Sequence, residues 1–290
     1  RDLVRSRGLG DVYKRQVKNA WLTPDTYKNM YQESVKTPDI FWSRQAKEFV
    51  TWDKEWDNVL KYDYVNGEVE WFEGAKLNVS YNCLDRHLPT KKDKTAIIWE
   101  GNEPGEGETL TYQELYERVC QFANLLKKNG VKRGDRIVIY LPITPTAVVS
   151  MLACARIGAI HSVVFAGFSA ESLKARIIDC EAKLVITANE GVRGAKSFPL
   201  KEIVDNAVNG LPFVEKVLVY KRTNGKHNFI HGRDEYIDEA LKDCSKECEP
   251  VVLSSNDPLF ILYTSGSTGK PKGVIHTQGG YILYVSMTHK

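Results

Sequence analysis

Ten residues hold the densest chemistry in the chain: Thr264-Ser265-Gly266-Ser267-Thr268-Gly269-Lys270-Pro271-Lys272-Gly273 carry four hydroxyls, three glycines and two lysines. Glycine lets the backbone turn tightly and bring its N–H groups close to an oxyanion, while hydroxyls and ammonium groups add donors and charge. That combination suits a polyphosphate. It is not a Walker A loop, because Gly266 and Gly269 are separated by two residues and Pro271 follows Lys270. The same composition also suits a flexible surface loop. The apolar run Leu259–Tyr263 leads into it as a short strand.

Other chemistry-bearing residues are sparser. Arg193 and Lys196 sit in Glu190–Lys196, a loop after a strand expected at Lys183–Thr187, and taken alone they read as two solvated cations. His161 reads as a core histidine and His276 as a pocket candidate. Of the six cysteines only Cys244 and Cys248 are close, and no second Cys or His pair stands at zinc spacing. His227 and His231 are four apart but lie in a turn region with Gly and Asn, so no metal site is expected. Scattered cysteines and the lack of any run of ~18 apolar residues lead us to expect a reduced, cytoplasmic protein with no membrane span.

The 290 residues carry 40 Lys and Arg against 37 Asp and Glu. Residues 1–16 hold five cations and two anions, so the remaining 274 balance at 35 against 35. Charge therefore gives no argument for a nucleic-acid or membrane partner. Residues 1–16 lack a Met and an apolar core, and Asp11–Gln16 resembles a translated sequencing adapter; a basic amphipathic leader is the alternative. The other end stops inside an apolar stretch, Tyr281–Lys290, that reads as a helix just beginning, which suggests a fragment.

These residues must be positioned by a scaffold. Five of the six Trp residues lie by position 71, so the region from Trp21 to about Leu84 reads as an aromatic layer packed on a larger body. From Lys94 onward strands and helices alternate. Thr95–Trp99, Arg136–Leu141, His161–Phe165, Lys183–Thr187 and Lys216–Tyr220 read as strands, with helices at Ala170–Cys180 and Lys201–Asn209. Thr111 and Glu114 form a capping box, Pro145 opens a helix and Gly158 ends it. Strands spaced by helices imply an α/β fold with a mostly parallel sheet.

Tyr263–Val274 resembles the signature loop of the adenylate-forming ligases. Asn82–Leu88, Thr95–Gly101, Met151–Ala159, Phe165–Ser169 and Asp257–Tyr263 resemble the acetyl-CoA synthetase branch of that family. The resemblance runs from about Trp21 to Lys290. It implies an N-terminal segment over 21–84, then a truncated adenylation domain over 85–290 whose sheet is mostly parallel with flanking helices. It implies ATP-dependent activation of acetate to acetyl-adenylate and then transfer to CoA, with Mg²⁺ accompanying ATP. A propionyl-CoA synthetase, or a non-catalytic nucleotide- or CoA-binding module, is the alternative. Thr264, Ser265, Gly266, Ser267, Thr268 and Gly269 would hold the β- and γ-phosphates, and Lys272 would brace the loop. Arg193, Gly194, Ala195 and Lys196 would bind the CoA phosphates, and Phe165, Ala166 and Gly167 would shape its channel. Two positions depart from the family pattern. Lys196 stands where many members have Arg, which keeps charge but loses bidentate geometry, and Ala166 replaces a common Gly. The catalytic lysine, the adenine and acyl pockets and the metal-binding segment are expected beyond Lys290, so these residues alone are expected to lack ligase activity.

Overall fold

Arg136–Tyr140, Leu184–Ala188 and Lys216–Tyr220 are near-continuous Val, Ile and Leu runs, the pattern of strands covered on both faces rather than one. In the computed structural model, which describes residues 20, 22–194, 196–264 and 269–289, all three are central strands of one sheet. The suspected adapter residues 1–16 lie outside the described residues.

The chain divides into two compact units, one ending at Phe49 and one starting at Val50. The first holds α1 (Pro24–Lys36) and α2 (Pro38–Phe49). The Thr23 hydroxyl caps α1 by accepting from the Thr26 amide at 3.1 Å, and Arg44 donates to both carboxylate oxygens of Glu33 at 2.7 and 2.8 Å.

The second unit opens with an antiparallel hairpin, β1 (Asn58–Asp63) and β2 (Glu68–Glu73). Trp52, Trp56 and Phe72 pack there with ring centroids 5.0–5.3 Å apart, and Trp71 adds a ring 6.0 Å from Phe72. The aromatic layer expected near the N-terminus is therefore a real cluster. Next come β3 (Lys76–Leu77), α3 (Val79–Cys83), a 3₁₀ turn at Asp85–His87 and α4 (Leu88–Lys91). β4 (Thr95–Glu100) pairs antiparallel with β5 (Gly107–Thr111). This corrects the simplest reading of Thr95–Trp99, which forms its own two-stranded sheet and does not join the parallel one.

The alternating part follows: α5 (Tyr112–Lys128), β6 (Arg136–Tyr140), α6 (Pro145–Ile157), β7 (Ile160–Val163), α7 (Ala170–Asp179) and β8 (Leu184–Ala188). A short hairpin, β9 (Gly191–Arg193) and β10 (Lys196–Phe198), precedes α8 (Leu200–Val208), β11 (Lys216–Tyr220), β12 (Asp234–Tyr236) and α9 (Ile237–Ala240). β13 (Leu253–Ser254) pairs with β3; β14 (Pro258–Thr264), β15 (Lys272–Thr277) and α10 (Gln278–Thr288) complete the described chain. The sheet order is β12-β11-β8-β6-β7-β14-β15, parallel throughout except for the antiparallel β14–β15 edge. No helix among the described residues is long and apolar enough to cross a membrane.

Local chemistry explains the helix ends. Thr111 Oγ1 accepts from the Glu114 amide at 3.2 Å while Glu114 accepts from the Thr111 amide at 2.8 Å, so the capping box closes both ways at the start of α5. Gly158 ends α6 at φ +73°, and a Cβ there would sit 3.0 Å from Leu253.

A buried ion pair fastens these layers. Arg156, in the last turn of α6, is 1% exposed and donates two hydrogen bonds of 2.8 Å to the Asp85 carboxylate. Its Nε donates to the Cys248 carbonyl, and its guanidinium lies over the Tyr116 ring at 5.1 Å. Asn78, also buried, donates to the carbonyls of Ala155, Arg156 and Val251 at 2.9–3.2 Å, which satisfies the C-terminal end of α6. Removing one partner strands a buried charge. Asp85→Ala is expected to lower stability to urea by about 3–5 kcal/mol, whereas Asp85→Leu with Arg156→Met should recover most of that loss. Equal losses in the single and double variants would refute this account.

Candidate functional site

Because β6, β7, β8, β11 and β14 are mutually parallel, the loops that follow them leave from one edge of the sheet. After β6 the chain goes to β7 on one side; after β8 it goes to β11 on the other. Loops that diverge in this way open a crevice at the carboxyl ends of the strands, where open α/β sheets bind ligands. The described residues of the phosphate-loop and CoA-side candidates, Thr264, Gly269, Lys272, Arg193, Gly194, Lys196 and Phe165–Gly167, follow the carboxyl ends of β14, β8 and β7.

The phosphate-loop candidate joins β14 to β15. Thr264 pairs with Lys272 and Tyr263 with Gly273 in antiparallel register, so the loop starts and finishes on adjacent strands. Gly269 takes φ +81°, a conformation open to glycine at no steric cost. Thr264, Lys270 and Lys272 are exposed. Ser265, Gly266, Ser267 and Thr268 lie outside the described residues. Behind the loop, Tyr263 donates its hydroxyl to Asp179 at 2.7 Å. Burial, with this carboxylate beside it, pushes the hydroxyl's pKa well above the usual tyrosine range, so it stays a donor.

The loop after β7 carries Phe165, Ala166 and Gly167. The amides of Gly167 and Phe168 both donate to the Phe165 carbonyl, at 2.8 and 3.0 Å, which makes a tight turn and leaves the Phe165 ring 64% exposed. Tyr140, at the end of β6, donates its hydroxyl to the Phe168 carbonyl at 2.7 Å and anchors the turn.

Arg193 and Lys196 pair with one another across the β9–β10 hairpin, both exposed, with Gly194 at its tip. Ala195 lies outside the described residues. The tip is held from a distance: Asn102 accepts from the Gly194 amide at 2.8 Å and donates to its carbonyl at 3.0 Å. Asn102 belongs to the β4–β5 loop, whose amides at 102 and 103 donate to Glu106, and Glu106 pairs with Arg222. Arg222 in turn lies over the Trp99 ring at 5.2 Å. Asn189, 1% exposed, accepts from the amides of Arg222 and Thr223 and donates to the carbonyls of Thr223 and Gly225. Sequence reasoning missed Asn102, Glu106 and Asn189. The Gly101-Asn102-Glu103-Pro104-Gly105 turn could have drawn notice to the first two, but contacts some ninety residues apart leave no local periodicity.

The histidines have structural surroundings. His161 is 7% exposed, its ring 5.5 Å from Phe260, and burial pushes its pKa down to about 4, so it is neutral near pH 7. His276, the register partner of Phe260 on β15, stacks on that ring at 4.5 Å. His227 meets Tyr236 at 3.1 Å. Burial pushes the thiols of Cys83 and Cys180 up to about 11, which keeps them protonated. All six cysteines are free, and among the described residues no three His, Cys, Asp or Glu side chains converge as a metal site. Among the described residues these loops thus carry the exposed cations Arg193, Lys196, Lys270 and Lys272, the exposed Thr264 and the turned glycines Gly194 and Gly269, residue types that can contact phosphate groups.

The family model described as AMP-binding enzyme matches residues 84–290. The chain belongs to the AMP-binding enzyme family. Residues 27–83 match the model of the acetyl-coenzyme A synthetase N-terminus. The chain is 53% identical over 272 residues to an acetyl-coenzyme A synthetase of Saccharophagus degradans, covering 94% of this chain and 42% of that protein. Similar figures hold for relatives of that description in Pseudomonas putida, at 52%, and Alkalilimnicola ehrlichii, at 54%. The chain thus spans about two fifths of the length of the curated relatives it matches. Among solved structures, an acetoacetyl-CoA synthetase from Streptomyces lividans superposes with TM-score 0.80 at 29% identity, covering 88% of this chain and 38% of that one.

The brace on the hairpin is open to test. Asn102→Ala is expected to speed amide exchange at Gly194 and its neighbours while costing about 1 kcal/mol or less of global stability, because Asn102 is exposed. Unchanged exchange at Gly194 would show that the hairpin stands without Asn102.

Proposed function

We propose that this chain is the N-terminal part of an AMP-forming acetate–CoA ligase, with an N-terminal segment over 21–84 and the first part of the adenylation domain over 85–290. The observation that carries this reading is its similarity to acetyl-coenzyme A synthetases over 94% of its length. The sheet-edge position of its hydroxyl- and glycine-rich loop agrees with it.

In this reading a carboxylate oxygen of acetate attacks the α-phosphorus of ATP, the bond to the β-phosphate breaks, and pyrophosphate leaves. The CoA thiolate then attacks the acyl carbon of the mixed anhydride and AMP departs. Acetate itself is a poor acylating agent because its leaving group would be oxide; the adenylate supplies a better one. Charge in the first step stays on phosphoryl oxygens, so fixed donors aimed at them are what catalysis needs. Thr264, Ser265, Gly266, Ser267, Thr268 and Gly269 hold the β- and γ-phosphates, and Lys272, paired with Thr264, keeps the loop closed. Mg²⁺ arrives with ATP and neutralises phosphate charge; no described residue is assigned to it. Arg193 and Lys196 contact the phosphates of CoA, with Gly194 and Ala195 at the turn, and Phe165, Ala166 and Gly167 line its approach. The enzyme acts in the cytoplasm on acetate, ATP and CoA, with no nucleic-acid or membrane partner.

Two half-reactions separate these roles in the full-length protein. Thr264→Val is expected to lower acetate-dependent ATP–pyrophosphate exchange about 10²-fold, the usual effect of losing one donor to a developing oxyanion. Arg193→Ala should leave exchange unaffected and raise the KM for CoA about tenfold, the effect of one lost charge-assisted contact. A full-length protein without acetate-dependent exchange would overturn the proposal.

A further inference from the structure

Arg176 is a buried cation without a buried acid. It lies on α7, is 8% exposed, and forms no ion pair among the described residues. Its Nη1 donates to the Ser172 carbonyl at 2.7 Å. Its guanidinium lies over the Phe168 ring at 4.7 Å and over the Tyr263 ring at 5.4 Å. The nearby Asp179 carboxylate accepts from the Tyr263 hydroxyl instead. Burying a guanidinium this far costs free energy that one carbonyl does not offset, and a residue serving only to fill space there could be apolar.

The two rings belong to two different loops. Tyr263 is the residue before Thr264, at the stem of the candidate phosphate loop. Phe168 closes the turn that carries Phe165, Ala166 and Gly167, is edge-on to Phe165 at 5.8 Å, and has its carbonyl held by Tyr140. One planar group therefore touches the stem of one site and the base of the other, though the two are some ninety-five residues apart in sequence.

We propose that Arg176 is a positioning residue that couples the nucleotide-phosphate loop to the CoA-side turn, so that displacing either ring shifts the other. This inference rests on the ligase reading for the identity of the two ligands, but not for the linkage itself. The flat, delocalised guanidinium serves two rings at once, which the point charge of lysine does not.

The linkage is read without turnover. Arg176→Met, which swaps a poorly compensated charge for an apolar side chain of similar length, should fold. It is expected to speed amide exchange about tenfold both at 167–168 and at 262–264, with Arg176→Lys behaving like the Met variant. Arg118→Met, which removes an exposed ion pair to Glu108, should alter neither segment. Faster exchange in only one segment, or in neither, overturns the proposal, as does full rescue by lysine.

The functional arm uses acetate-dependent ATP–pyrophosphate exchange in the full-length protein, a reaction that contains no CoA. Phe168→Leu, on the CoA side, should raise the KM for ATP about fivefold with kcat nearly unchanged, the size of one lost cation–π contact. In the Arg176→Met background it should add nothing. Additive effects, or an unchanged KM for ATP, overturn the coupling. If the amide-exchange pattern appears but the parent protein shows no acetate-dependent exchange, the linkage is supported and the ligase reading falls.

Discussion

Arg156 places a full positive charge at 1% exposure, the largest side chain among the fully buried described residues, and much of the second unit is arranged to keep that charge satisfied. Taking an ion out of water costs several kcal/mol, recovered only when geometry is good and every donor finds an acceptor. Here the Asp85 carboxylate takes two donors, the Cys248 carbonyl a third, and the Tyr116 ring covers the guanidinium face. Each partner comes from a different stretch: the 3₁₀ turn after α3, the segment leading into β13, and α5. The pair therefore fixes where three separate pieces of chain meet the end of α6. Asn78 closes the same junction by occupying the free carbonyls of that helix end. Two of the segments that carry the acetyl-CoA synthetase resemblance, Asn82–Leu88 and Met151–Ala159, meet here, so that part of the likeness marks architecture rather than chemistry.

The site depends on this junction only indirectly. What the sheet supplies is a common edge from which five loops leave, and what the side chains supply is a set of long-range braces. Asn102 holds Gly194, Tyr140 holds Phe168, and Asn189 fastens the end of β8 to the loop after β11. None of these residues carries a reacting group. They keep exposed cations and tight turns in place over a rigid floor, which is how a scaffold lets a loop be both accessible and ordered.

Much of this was legible from local pattern. Lys216–Tyr220 is a strand over the expected residues, Thr111 and Glu114 close the capping box, and Gly158 ends α6 with the left-handed backbone its position implied. Each of these features is decided within a few residues, by period, cap or φ. Thr95–Trp99 shows the limit: its composition says strand, but its partner is β5 and not the parallel sheet, because pairing is decided by chain topology. The glycine- and hydroxyl-rich loop is visible for its composition, whereas nothing local marks the long-range contacts of Asn102 and Arg176. Their importance comes from groups that only folding brings near.

The antiparallel edge of the sheet has a consequence for how the signature loop can vary. Thr264 and Lys272 are register partners, so their Cα atoms stand about one strand spacing apart, near 5 Å, whatever the seven residues between them do. The ends of that segment are already joined, and its closure entropy was spent when the two strands paired. Doubling the length of such a loop adds only about 0.6 kcal/mol of closure cost. Ring closure therefore exerts little pressure on its length.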